Sequence, residues 1–82
     1  MTHNKLWKKD NDKDEKTRLD ISSKLKKVRL SKGMKQTDVA KKAGINSNYY
    51  SKVERGEAIP SVITFKKILG ALGVNSSEIL SF

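Results

Sequence analysis

Cysteine is absent from the chain. No disulfide framework and no thiolate metal site can form, and the composition fits a reducing compartment. Histidine occurs once, at His3, and proline once, at Pro60. One histidine without thiols is too little for a metal cluster, and one proline leaves long stretches free to run as helix. No apolar run approaches the roughly 18 residues of a membrane span, and the N-terminus lacks the apolar segment of a secretory signal. A cytoplasmic protein with no membrane partner is expected. The chain also lacks strand-period segments, internal repeats, a nucleophile–base set, paired catalytic acids and a cofactor loop. No catalytic residues, no cofactor, no metal and no small-molecule ligand are therefore expected.

What the chain has is positive charge: 18 Lys and Arg against 9 acids, a formal charge of +9. A basic excess of this kind is the footprint of a polyanion binder. An 82-residue chain has room for one domain and a small core. Residues 1–19 are charge-dense, with the run Lys8-Lys9-Asp10-Asn11-Asp12-Lys13-Asp14-Glu15-Lys16 mixing both signs. Such a segment buries little apolar surface and is expected to be a disordered or frayed arm. Six basic residues against four acids give the arm +2, so residues 20–82 hold the remaining +7. The basic signal thus lies in the expected domain, 20–82, more than in the tail. Trp7 in the arm either docks on a partner or the domain, or stays loose.

From Asp20 the spacing becomes helical. Ile21, Leu25 and Val28 fall at i, i+4 and i+7, with Lys24, Lys26 and Lys27 between them. Asp20 is a suitable N-cap and Gly33 a suitable end. A second helix is predicted over Gln36 to Ala43, with Val39 and Ala43 inward and Gly44 in the turn. A third follows Asn46, a good N-cap, and runs to Arg55. Pro60-Ser61 opens a fourth, whose Val62, Phe65, Ile68, Leu69 and Leu72 make a wide apolar face closed by Gly73. Asn75 with Glu78 resembles a capping box for a short fifth helix through Ile79 and Leu80. The fold class is all-α, a compact bundle of about five short helices.

Helices 2 and 3 carry the functional signal. On the third helix Ser47, Ser51, Arg55, Asn48 and Lys52 fill one arc of about 140°, while Tyr49, Val53 and Tyr50 lie between about 200° and 300°. The apolar arc must pack and the polar arc then faces out. Ala40 is small where two helices cross, Gly44 turns the chain, and Ile45 follows as an apolar plug. This is the pattern of a helix-turn-helix, whose second helix enters the major groove of DNA. A groove about 12 Å wide admits one helix, and nine residues span about 14 Å, enough for four or five base pairs. Asn suits adenine, Lys suits guanine and Ser suits either.

From about Ile21 to Leu80 the chain resembles the lambda-repressor-like, or Xre-type, helix-turn-helix family of phage repressors, Cro proteins and restriction–modification controller proteins. The residues that carry the resemblance are Lys24-Leu25-Lys26-Lys27-Val28-Arg29, Lys32-Gly33-Met34, Gln36-Thr37-Asp38-Val39-Ala40, Gly44-Ile45 and Tyr49-Tyr50-Ser51-Lys52-Val53-Glu54-Arg55-Gly56. Pro60-Ser61 and Ala71-Leu72-Gly73-Val74 complete it. The resemblance implies a transcriptional regulator that binds double-stranded operator DNA as a homodimer. It implies base contacts from Ser47, Asn48, Ser51 and Lys52, with Tyr49 either touching a thymine methyl or sugar or simply packing. It implies phosphate contacts from Gln36, Asn46 and Arg55, and a structural pair of Arg29 with Glu54. The sequence departs from the family twice. Lys35 stands where the family has a Thr or Ser cap, which weakens the helix start by about 1 kcal/mol but offers a further phosphate contact. Ser47 stands where a long base-reading side chain is common.

Ile79, Leu80 and Phe82 end the chain with apolar side chains. They either close the monomer core or meet a second subunit, and the resemblance favours the second. A different class of function keeps the same fold: a protein-interaction module, such as an antitoxin or co-regulator, in which DNA binding is secondary. Trp7 and the C-terminal apolar residues would then matter more than the third helix.

Overall fold

The computed structural model describes residues 2–80, with side chains from Glu15 onward. All regular structure among the described residues is helical: α1 (Thr2–Ser31), α2 (Gln36–Ala43), α3 (Ser47–Glu54), α4 (Val62–Leu72) and a 3₁₀ turn at Ser76–Glu78. Four α-helices stand where about five were expected. The fifth closes to a single 3₁₀ turn, started by a bond from the Asn75 N–H to Glu78 Oε2 at 2.9 Å.

The first helix reaches further back along the chain than the apolar spacing suggests. It starts at Thr2 instead of Asp20. A helix nucleated by its packed C-terminal half can extend at one hydrogen bond per residue without burying anything. Residues 2–31 contain no glycine or proline to stop it. Same-face ion pairs line the junction, Glu15–Arg18 at 3.8 Å and Asp20–Lys24 at 3.2 Å. Contact with the body also begins before Asp20, since Thr17 and Arg18 line an apolar cleft with Ile21, Ala58 and Phe65. Trp7 and His3 lie outside the residues whose side chains are described.

Each element contributes one large side chain to the centre. Leu25 of α1, Val39 of α2, Tyr50 of α3, Ile68 of α4 and Ile79 after the 3₁₀ turn are all fully buried. Helix α2 packs on α3 and α4, and α1 packs on α3. Ala40, 2% exposed, allows α2 and α3 to approach closely. Gly44 leaves α2 at φ 70°, and the Ile45 N–H returns to the Ala40 carbonyl at 3.0 Å. That double-bonded exit turns the chain tightly enough for α3 to cross α2.

Two sequence expectations about the core need correction. Val62 was placed on the buried face of α4 but is 85% exposed, because Ile68, Leu69, Ala71 and Leu72 set the inward stripe and Val62 sits at the helix start beyond it. Ile79, considered for a subunit contact, is fully buried in this chain's own core. Leu80 packs partly against the same core, and Phe82 lies outside the described residues.

Glycine substitutions test this packing. Gly56 has φ +74°, and a Cβ there would sit 2.8 Å from Leu19 Cδ2. Gly56→Ala is expected to destabilise by about 1–2 kcal/mol through the left-handed backbone alone. Gly70 lies inside α4 with open space around it. Gly70→Ala is expected to stabilise by about 0.5–1 kcal/mol. Urea unfolding of the two variants reads both signs.

Candidate nucleic-acid interface

Helix α3 is held at both ends. At its start the Asn46 side-chain oxygen accepts the backbone N–H groups of Asn48 at 2.8 Å and Tyr49 at 3.1 Å. At its end Glu54 is drawn into the interior, with its side chain 1% exposed. Between the ends, Tyr50 and Val53 are buried while Asn48 and Lys52 stand in solvent. Ser47, Ser51 and Tyr49 are half-buried along the flanks, and Tyr49 packs against the core. The outward face therefore presents an amide and an ammonium one turn apart on a fixed helix.

The buried end is a network across three helices. Arg29 of α1 donates to Glu54 through Nε at 2.6 Å and through Nη2 at 3.1 Å, and its Nη1 donates to the Met34 carbonyl at 2.8 Å. Gln36, the first residue of α2, donates from Nε2 to Glu54 Oε1 at 3.0 Å. Its Oε1 in turn accepts the Ser51 hydroxyl at 2.6 Å. Burial pushes the Glu54 carboxyl up, but the hydrogen bonds from Arg29 foremost, together with that of Gln36, outweigh it and leave the carboxyl below its ordinary range. Burial first, and then the Glu54 charge, push the Tyr50 hydroxyl far above its usual value, so it stays neutral. The Tyr50 hydroxyl faces this pair without forming a hydrogen bond of good geometry.

The start of α2 lacks a side-chain cap. Lys35 has no acceptor, and Asp38 supplies only the reciprocal bond, taking the Lys35 N–H at 2.9 Å. The first N–H groups of α2, at Gln36 and Thr37, have no partner within the helix and carry its positive end. Lys35 is exposed beside them. Arg55, just past the end of α3, is exposed. Its guanidinium is paired with Glu57, Nε to Oε2 at 2.7 Å and Nη2 to Oε1 at 3.3 Å, in full solvent. The fork leaves the Nη1 end of Arg55 out of the pair.

Sequence reasoning brought Arg29 and Glu54 together but missed Gln36 and Ser51 as their continuation, the Tyr50 hydroxyl beside them, and the Arg55–Glu57 pair. The first two depend on the crossing angle of α2 and α3, which no spacing encodes. The third had a signal in the opposite charges two residues apart at the helix end. Among the described residues no group of three or more His, Cys, Asp or Glu side chains could hold a metal, and no helix is long and apolar enough to cross a membrane.

Arg29→Ala leaves the Glu54 carboxylate buried without its main partner and is expected to cost about 3–5 kcal/mol, read from urea unfolding. A carboxyl held below its unfolded value stabilises the fold above that value, about 4.5, and the benefit is lost as pH falls through the folded value. The wild-type protein is therefore expected to lose stability below about pH 4.5. Glu54→Gln is expected to be less stable near neutrality and to show a shallower acid slope in the same measurement.

Comparison with known proteins agrees with this geometry. The helix-turn-helix family matches residues 25–79. An uncharacterized HTH-type transcriptional regulator of Bacillus subtilis (strain 168), YqaF, is 53% identical over 49 residues, which is 60% of this chain and 64% of that protein. The control protein C.BamHI of Bacillus amyloliquefaciens is 36% identical over 66 residues, covering 79% of this chain and 82% of that protein. Among solved structures, the restriction–modification controller protein C.AhdI of Aeromonas hydrophila superposes with a TM-score of 0.73 at 27% identity, over 76% of this chain and 94% of that one. By matched residues, relatives and fold alike, the chain belongs to the helix-turn-helix family, in its lambda-repressor-like, Xre-type branch.

Proposed function

We propose that this protein is a sequence-specific DNA-binding transcriptional regulator, of repressor or controller type, that docks α3 in the major groove of operator DNA. The observation that carries the reading is the split of α3: Asn48 and Lys52 in solvent, Tyr50 and Val53 buried, and both helix ends tied down. The relatives named as HTH-type regulators and as control proteins support it. The +7 carried by residues 20–82 supplies long-range attraction to the duplex and a salt-dependent affinity. Asn48 and Lys52 are the base readers, with Ser47, Ser51 and Tyr49 at the flanks of the same face. Phosphate contacts fall to Lys35, the Gln36 backbone N–H, the free amide hydrogens of Asn46, and the Nη1 end of Arg55. The location is the cytoplasm, and no small molecule is required.

A homodimer places two α3 helices on half-sites about 34 Å apart and adds their contacts. Ile79 is buried, so it does not serve that contact. Ile59, Val62 and Ile63 are 73%, 85% and 70% exposed around the start of α4, and they offer the apolar surface in its place. The same surface favours the second reading, a docking module for another protein.

Asn48→Ala is expected to weaken binding to the cognate site by about 1–3 kcal/mol and to leave affinity for random duplex nearly unchanged. Equal loss on both substrates would remove Asn48 from the base readers. Titration with duplex at increasing salt, followed by fluorescence anisotropy, separates the two readings. A regulator shows a steep fall of affinity with salt, and a docking module does not. Val62→Asp combined with Ile63→Asp is expected to convert dimer to monomer in sedimentation experiments.

A further inference from the structure

The buried network runs to the DNA-facing flank, and it has a direction. Glu54 is ionised and offers only lone pairs, so it demands a donor from Gln36. The Gln36 amide therefore turns Nε2 toward Glu54, at 3.0 Å. A planar amide that points its nitrogen one way points its oxygen the other. Gln36 Oε1 thus faces Ser51, and the Ser51 hydroxyl must donate to it, at 2.6 Å. A serine hydroxyl has one proton and two lone pairs. With its proton committed inward, Ser51 has only lone pairs left for anything outside the protein.

We infer that Ser51 acts as an acceptor-only reader that selects an amino base, adenine or cytosine, over a keto base, with Gln36 as the positioning residue that fixes this polarity. This deepens the proposed function and rests on α3 entering the major groove. There adenine presents N6–H₂ and cytosine N4–H₂ as donors, whereas guanine O6 and thymine O4 are acceptors. An unconstrained serine rotates its hydroxyl to suit either class. Ser51 cannot do so unless it gives up its bond to Gln36. Ser51 is half-buried, not covered, so a base edge can reach its outer lone pair. The same geometry leaves Gln36 a second amide hydrogen, so its phosphate role does not compete with the Ser51 bond.

The test is selection of bound sites from random duplexes with the full chain, with Ser51→Ala and with Gln36→Leu. The base read by Ser51 is the position at which Ser51→Ala loses preference. At that position the wild-type protein is expected to favour adenine or cytosine by about two- to tenfold, the worth of one neutral hydrogen bond. Ser51→Ala should flatten that position alone. Gln36→Leu frees the hydroxyl proton and should admit guanine and thymine there. A keto preference in the wild-type protein overturns the inference. So does a Ser51→Ala site identical to the wild-type site, or an amino preference that survives Gln36→Leu in a protein with native circular dichroism. If Gln36→Leu fails to fold, the wild-type preference and the Ser51→Ala comparison still decide it. Recovery of no preferred sequence at all by the wild-type protein would overturn the DNA-binding reading as well, and so is distinguishable from a wrong polarity at one base.

Discussion

A guanidinium and a carboxylate do not leave water cheaply, yet Arg29 and Glu54 have both done so, in contact at 2.6 Å. Their mutual attraction is largely consumed by desolvation, so the pair adds little net stability compared with a well-packed apolar substitute. What it adds is orientation. A bidentate fork fixes distance and angle together, and Arg29 uses its remaining nitrogen on the Met34 carbonyl in the loop that leads into α2. Helices α1, α2 and α3 are thereby indexed to one another through two side chains. Gln36 and Ser51 are placed by that index, and so is the face of α3 that carries Asn48 and Lys52.

The rest of the molecule supports this arrangement without duplicating it. The core gives α3 its tilt through Tyr50 and Val53, and Ala40 and Gly44 set how near α2 comes. Asn46 closes the start of α3 with two bonds from one oxygen. A helix of eight residues would be marginal alone in water. Here it is fixed before any ligand arrives, so little ordering entropy remains to oppose association.

Elements with local determinants were legible in the sequence. Helices α2, α3 and α4 follow from apolar spacing, from the cap at Asn46 and from the opening at Pro60-Ser61, and the exposed face of α3 follows from its wheel. The elements that were misread depend on long-range or continuous effects. Residues 2–19 continue a helix begun elsewhere, which a local ordering argument does not see. The fifth helix needed more than one turn of favourable contact after Asn75, and Ile79 plunges into the core at once, leaving a 3₁₀ turn. Val62 has an apolar side chain in the right period but lies past the end of the surface it would cover. The bond between Gln36 and Ser51 spans 15 positions and two helices, and only the crossing geometry reveals it.

Glu57 matches the charge of Arg55 but does not use up its donors. The fork engages Nε and one hydrogen of Nη2, and the Nη1 end of the guanidinium is not part of it. The end of α3 therefore offers directed N–H groups to its surroundings without adding net charge there.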